Sequence, residues 1–318
     1  MAKVIVTGAS GMIGSHLVDE LVKQGHVVFG LDRYSAWSNP KAHYCYFDLR
    51  DSQRASSEIE LIAPEIVIHC AANAAQGKGQ MSPIDMTSNN YNTFFNVLTP
   101  AIRSGKLKRF LFTSTIGVYG NINTPFRETD IPIPVDIYSI AKRAIEQSLQ
   151  VMAKVHKFEY VIFRLHNVTG ERQNINDPYR NVVTLFMTHL LRGVPYSIFG
   201  NGEVARQFSY VKDVTNVIAK AVDYDVANTI FNVGADRMVP LKELSNIIQQ
   251  ISGIKIEPIF KPLRSQEVFA TEEDHTLARN IFGYADTPLE DYLVRVWDYV
   301  KSFGVMPINY EKLELEAL

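Results

Sequence analysis

Cysteine is scarce in this chain. The 318 residues contain two, Cys45 and Cys70, both inside apolar, strand-like runs. Such a pair excludes a disulfide framework and predicts free core thiols in a reducing compartment. An excess of one charge is also lacking, because 32 basic residues stand against 34 acidic ones for a formal net charge of −2. A broad field for nucleic acid is therefore excluded, and any anionic ligand must be held by local groups. No apolar run approaches the roughly 18 residues that cross a bilayer. The first strand-like segment begins at Lys3, which leaves no room for a removable leader, so a soluble cytoplasmic protein is expected. Internal repeats and low-complexity tracts are missing. The eight histidines show no HxxxH or HxxH spacing, so no metal site is predicted.

What the chain does have begins at once. Lys3 to Gly14 reads KVIVTGASGMIG, in which β-branched residues run into glycines at 8, 11 and 14 and an amphipathic helical pattern comes next. Strand, tight turn and helix N-terminus in this order make an anion site, because unpaired amides and the helix dipole converge and glycine lets a pyrophosphate approach the backbone. Ile13, Leu17 and Leu21 continue at helical spacing to Gly25, and Val27 to Leu31 is the next strand, ending in Asp32.

Strand and helix keep alternating. Strands are expected at Tyr44 to Phe47, Glu65 to His69, Arg109 to Thr113 and Tyr160 to Leu165. Helices are expected at Ser52 to Ile62, Asn89 to Ser104 and Tyr138 to His156. This is the pattern of a Rossmann-type doubly wound parallel sheet over residues 1–165. Beyond it, loops rich in Asn, Pro and Gly surround helical patterns at Val183 to Arg192, Leu241 to Ser252 and Pro288 to Phe303. A smaller C-terminal substrate-binding region over 166–318 is expected, with part of 205–235 returning to the main sheet through TIFNVG.

Three groups of residues carry chemistry. Asp32, at the end of the second strand, suits a ribose diol and would repel a 2′-phosphate, which favours NAD; Arg33 beside it could neutralise that phosphate. Tyr138 and Lys142 lie four apart in YSIAK and so share a helix face. An isolated phenol has a pKa of about 10, and a neighbouring ammonium favours the phenolate that a general base requires. Thr113, Ser114 and Thr115 end a parallel strand, where hydroxyls face the ligand crevice.

Together these stretches resemble the extended short-chain dehydrogenase/reductase family, in particular its nucleotide-sugar epimerases and dehydratases, of the UDP-glucose 4-epimerase kind. TGASGMIG resembles the family's TGxxGxxG turn, which implies NAD contacts from Gly8, Gly11, Met12, Ile13 and Gly14. Asp48 and Leu49 resemble the adenine-contacting pair, His69 to Ala72 the HxAA strand end that includes Ala71, and Asn90 the helix-borne Asn motif. TSTIGVYG places the catalytic hydroxyl on Thr115, and YSIAK supplies the catalytic Tyr138 and Lys142. RLHNVTG and GNGEVARQFSYVKDV are similar to motifs that grip a sugar nucleotide through Asn167 and Arg206. LRSQEV stands in place of RPGDV, without its Pro and Gly, and makes Arg264 the third such contact. A nucleotide-diphosphate sugar is thus the implied substrate.

The family's 4,6-dehydratases carry Asp-Glu directly after the catalytic Thr, and its decarboxylases carry a Glu there. Here those positions are Ile116 and Gly117, which cannot move a proton. The expectation is an NAD-dependent 4-epimerase working through a transient 4-keto sugar. A ketoreductase or dehydrogenase for nucleotide sugars is the alternative, and a non-catalytic NAD-binding sensor a third reading. Phe94, Phe95, Leu98 and Ile102 exceed what one sheet-facing stripe needs, and relatives pair this helix with the Tyr138 helix in a four-helix bundle, so a homodimer is expected. The roles of His166, Gln76 and Lys78 stay open.

Overall fold

In a computed structural model the described residues are 1–74, 82–175, 177, 181–263 and 270–304. Six strands build the first part of the central sheet: β1 (Lys3–Thr7), β2 (Val27–Asp32), β3 (His43–Tyr46), β4 (Ile66–His69), β5 (Arg109–Thr115) and β6 (Glu159–Leu165). A seventh, Thr229–Val233, returns from the second half of the chain and pairs with β6. The order across the sheet is β3, β2, β1, β4, β5, β6 and the returning strand, and every pairing is parallel. The order reverses direction between β1 and β4, which opens a crevice at the carboxyl ends of these two strands.

Alternate residues of each buried strand serve opposite faces. In β1, Val4 and Val6 pack with helix α1 (Met12–Lys23) and with Val211–Lys220, whereas Ile5 packs with α2 (Ser52–Ile62), the Thr93–Arg103 helix and the Ile137–His156 helix. In β5, Leu111 faces the first group and Phe110 and Phe112 the second. Both faces are covered, so these strands read as nearly continuous apolar runs. Phe94 and Leu98 are buried in the second core, with Phe95 and Ile102 packed partly buried at its edge.

A separate apolar core gathers the helices Val182–Arg192, Leu241–Ser252 and Leu289–Ser302 around Tyr196, Ile198 and Phe208. Short strands attach to it. Ala205–Gln207 lies between Met238–Pro240 and Ala270–Thr271, and Ser197–Phe199 pairs with Ile259–Lys261.

Two segments differ from the reading by periodicity. The helix expected from Asn89 is instead Pro83–Thr87, a π-helical turn Ser88–Asn92, and Thr93–Arg103. The wider turn accompanies Asn90, whose carboxamide is spent on Asn73 backbone rather than on solvent. Strand β5 runs two residues beyond Thr113, because Ser114 and Thr115 remain paired with Arg164 and Leu165.

Under the carboxyl end of β5 lies a fully buried polar network. Arg164 on β6 makes two bonds to Glu146, Nε to Oε1 at 3.1 Å and Nη2 to Oε2 at 2.8 Å, with both residues at most 1% exposed. Ser114 donates to Glu146 at 2.6 Å, Arg164 to the Tyr119 hydroxyl at 2.8 Å, and Tyr119 to Asn232 of the returning strand at 2.7 Å. Removing one partner of such a pair leaves an uncompensated buried charge, which costs about 3–5 kcal/mol. Arg164→Met is expected to lose stability on that scale in urea unfolding, and Arg164→Met with Glu146→Leu to recover most of it. Equal losses from the single and double variants would show that the pair does not act as a unit.

Candidate active site

The glycine turn owes its shape to two close approaches. A Cβ at Gly14 would stand 2.0 Å from the Gly8 carbonyl oxygen, and a Cβ at Gly8, whose φ is +68°, would stand 2.9 Å from the Ala71 backbone nitrogen. The Thr7 hydroxyl closes the turn onto β4 by accepting the N–H groups of Cys70 and Ala71 at 3.2 and 3.1 Å. Gly11 caps α1 in an extended conformation with no side-chain cap bond, and the first turn carries no acidic residue. The helix N-terminus therefore offers amides and positive dipole to an anion. Met12 and Ile13, the first helical residues, are half-buried and face the same cleft.

That cleft encloses ≈ 1510 Å³ and is bounded by the carboxyl ends of β1, β2, β4, β5 and β6. Gly8, Gly11, Gly14, Asp32, Asp48, Leu49, Ala71, Thr115, Tyr138, Lys142, Asn167 and Arg206 all line it. The Asp32 carboxylate is oriented by two backbone N–H groups, from Ser10 at 2.9 Å and Tyr34 at 3.1 Å. Arg33 turns away from it and approaches Asp48 at 3.6 Å. Asp48 is also bound by Arg50 at 2.7 Å, and this arginine holds its carboxyl below the usual range. The carboxylate expected at adenine is thus already engaged by two arginines.

Among the described site residues, Asn90 is the one that does not line the cleft. It is 1% exposed, accepts from Asn73 N–H at 3.0 Å and donates to Asn73 carbonyl at 3.2 Å. Its carboxamide holds Asn73 in the segment after β4. His69 is packed among Phe94, Phe110 and Phe112, and burial pushes its pKa down to about 3.

Thr115, Tyr138 and Lys142 converge on the cleft from two elements. Thr115 ends β5, and its Oγ1 accepts the Gly117 N–H at 3.1 Å, which leaves the hydroxyl hydrogen for a ligand oxygen. The helix Ile137–His156 starts at Asp136, whose carboxylate accepts from the Ser139 amide and hydroxyl at 2.9 and 2.7 Å. This cap sets Tyr138 in the first turn, 8% exposed. One turn later Lys142, 2% exposed, donates to the Thr113 carbonyl at 2.8 Å and lies 4.6 Å above the Phe112 ring. Burial lowers its pKa to about 8, so it is still a cation at neutral pH, 5.8 Å from the Tyr138 ring.

Asn167 and Arg206 reach the cleft from the second half of the chain. Asn167 donates to the Gln207 carbonyl at 3.2 Å, and Arg206, half-buried, to the Ala205 carbonyl at 2.8 Å. His166 is a buried tie: Nδ1 lies 2.7 Å from the Gln207 carbonyl and Nε2 3.1 Å from that of Thr271. It thereby joins the strand bearing Arg206 to its neighbour. Arg264, Gln76 and Lys78 lie outside the described residues.

Residues 138, 142 and 146 occupy one helix face, so Glu146 was findable by the spacing that singles out Tyr138 and Lys142. Arg164 stands inside RLHNVTG, where the eye goes to Asn167. Only the fold shows that these two charges meet.

A Rossmann-type sheet with a glycine turn, an acidic second strand end and a Thr, Tyr and Lys set facing one crevice defines a dinucleotide-dependent enzyme of the extended short-chain dehydrogenase/reductase type. The chain belongs to the NAD dependent epimerase/dehydratase family, whose model matches residues 4–234. It is 30% identical over 305 residues to a putative UDP-glucose 4-epimerase from Methanocaldococcus jannaschii, covering 94% of this chain and 98% of that one. A UDP-N-acetyl-alpha-D-glucosaminuronate decarboxylase from Bacillus cytotoxicus is 28% identical over 283 residues, covering 85% and 86%. The crystal structure of a Thermotoga maritima UDP-glucose 4-epimerase with UDP-glucose superposes with a TM-score of 0.88 at 32% identity, covering 94% of this chain and 99% of that one. The cofactor is NAD. The cradle at Gly8 and Gly14, the uncapped helix N-terminus and the oriented Asp32 carboxylate fit its pyrophosphate and ribose.

Lys142 also makes a pH test. Its folded pKa of about 8 lies below the ordinary 10.5, so between these values the native state binds fewer protons than the unfolded one and stability rises with pH. Below about pH 8 the burial penalty is present in full. With cofactor removed, the stability of wild type is expected to gain on that of Lys142→Met between about pH 7.5 and 9.5. A constant offset in urea unfolding would mean that Lys142 keeps an ordinary pKa.

Proposed function

We propose that this chain is an NAD-dependent nucleotide-sugar 4-epimerase acting through a transient 4-keto sugar. The observation that carries the reading is the pair of residues directly after Thr115. Ile116 and Gly117 open the next turn and line the cleft, and neither can take a proton from a neighbouring sugar carbon. A site with Thr115, Tyr138 and Lys142 and no acid at those two positions suits oxidation and reduction at a single carbon.

NAD, held by the Gly8–Gly14 cradle and Asp32, would supply the site's hydride acceptor and donor. Tyr138, as phenolate, takes the proton of the C4 hydroxyl and gives it back. Lys142 stabilises that phenolate by its charge, held in place by the Thr113 carbonyl. Thr115 donates to the C4 oxygen and steadies the ketone. Asn167, Arg206 and Arg264 hold the diphosphate, so that the sugar can turn over while its anchor stays fixed. On this reading residues 1–165 serve the dinucleotide and 166–318 the nucleotide sugar. The named relatives make UDP-sugars the first class to assay.

Tyr138→Phe is expected to lose about 10²–10⁴-fold in turnover and to keep NAD. The assay separates products from UDP-, GDP-, dTDP- and CDP-sugars. Two interconverting stereoisomers with no net cofactor consumption support the epimerase. One product with stoichiometric use of NADPH would establish a ketoreductase, and no turnover combined with NAD-dependent binding of another protein would establish a sensor.

We further infer a cytoplasmic homodimer joined through a four-helix bundle. Ile140, Val151 and Val155 are 47%, 61% and 63% exposed on the Tyr138 helix, and Ile84 is 85% exposed on a neighbouring one. Light scattering at micromolar concentration is expected to return twice the 35.9 kDa chain mass; the monomer mass would refute the dimer.

A further inference from the structure

An epimerase must keep the same dinucleotide through oxidation and reduction, and the rim of the cleft carries a contact suited to that. The loop after Asp32 is largely exposed, yet Trp37 and Asn39 within it are half-buried. Asn39 donates to Asp19 on α1 at 2.7 Å. The other oxygen of Asp19 pairs with Arg172 at 2.7 Å, and Arg172 belongs to the second half of the chain. The Arg172 guanidinium lies 5.5 Å from the Trp37 ring, while Trp37 meets Tyr299 at 6.1 Å and Phe303 at 6.3 Å between ring centroids. Tyr299 donates to the Gln173 carbonyl at 2.9 Å, fixing the Arg172 loop from the other side.

One acidic side chain on the pyrophosphate helix thus ties together a loop from the dinucleotide half and a loop from the substrate half. Trp37, Arg172, Tyr299 and Phe303 all face the cleft that contains the glycine turn. Arg172 holds a left-handed conformation, φ 65°, which an arginine adopts at a cost of about 1 kcal/mol or more unless its surroundings favour it.

We propose that Asp19, Arg172 and Trp37 form a clasp that retains NAD between turnovers. The dinucleotide leaves only when the cation–aromatic contact and the two Asp19 bonds part. This rests on the reading of a resident cofactor, and the two can fail separately.

The test measures the rate at which NAD leaves the loaded protein, after dilution into a scavenging dehydrogenase, for wild type, Trp37→Ala and Asp19→Ala, with thermal unfolding as a check on folding. Release faster by about tenfold or more in both variants is expected, since altered contacts act mainly on dissociation. Trp37→Phe and Arg172→Lys keep ring and charge, and are expected to release NAD closer to the wild-type rate; they report even if an alanine variant fails to fold. Wild-type release rates in Trp37→Ala and Asp19→Ala, or in all four variants, would overturn the clasp whatever the enzyme turns over. Fast release from the alanine variants with no epimerisation by wild type would keep the clasp and sink the epimerase.

Discussion

Glu146 and Arg164 face each other where water does not reach, and their contact joins the elements that carry Thr115, Tyr138 and Lys142. The pair joins the Tyr138 helix to β6. Through Ser114 it reaches the strand that ends in Thr115, and through Tyr119 and Asn232 it reaches the strand that returns from the second half. A helix resting on a sheet can slide or rotate if only apolar contacts hold it, because those contacts have no direction. Two charge-assisted bonds with fixed geometry remove that freedom. They fix Tyr138 and Lys142, two turns and one turn before Glu146, in the wall of the cleft that Thr115 also lines.

The same pair explains how Lys142 keeps its charge free to act. Glu146 is the nearest carboxylate on its helix face, and an unengaged carboxylate there would hold the lysine as an ordinary salt bridge. Arg164 and Arg143 take up that carboxylate. Lys142 is left with a backbone carbonyl and an aromatic face, partners that orient a cation without neutralising it. Burial then lowers its pKa to about 8. A lysine that is destabilised but still charged at neutral pH is a strong source of field for a nearby phenolate.

Much of this was legible in the sequence because local rules and global fold agree over the first half. Apolar strand, glycine turn and amphipathic helix specify the β1 to α1 junction almost alone, and Tyr138, Lys142 and Thr115 emerge from spacing and strand ends. What could not be read was mostly polar and nonlocal. Asn90 looks like a ligand contact in the sequence, yet its carboxamide is satisfied by Asn73, seventeen residues earlier. Asp48 looks free and is claimed by Arg50 and Arg33. His166 beside Asn167 could have faced a sugar, and only the pairing of Ala205–Gln207 with Ala270–Thr271 shows it between two carbonyls. Apolar periodicity records which face is buried, but not which partner meets a buried polar group.

The interleaving of the two halves has a mechanistic consequence. The second half contributes more than a cap, since it returns Thr229–Val233 to the sheet and covers α1 with the helix Val211–Lys220. Asn232, within that returning strand, bonds Tyr119 and so reaches Arg164. Asn167 and Arg206 from the second half are therefore tied by sheet pairing and hydrogen bonds to the elements that carry Thr115, Tyr138 and Lys142. The rigidity of the cleft lies in a sheet and a set of buried charges that both halves share, rather than in either half alone.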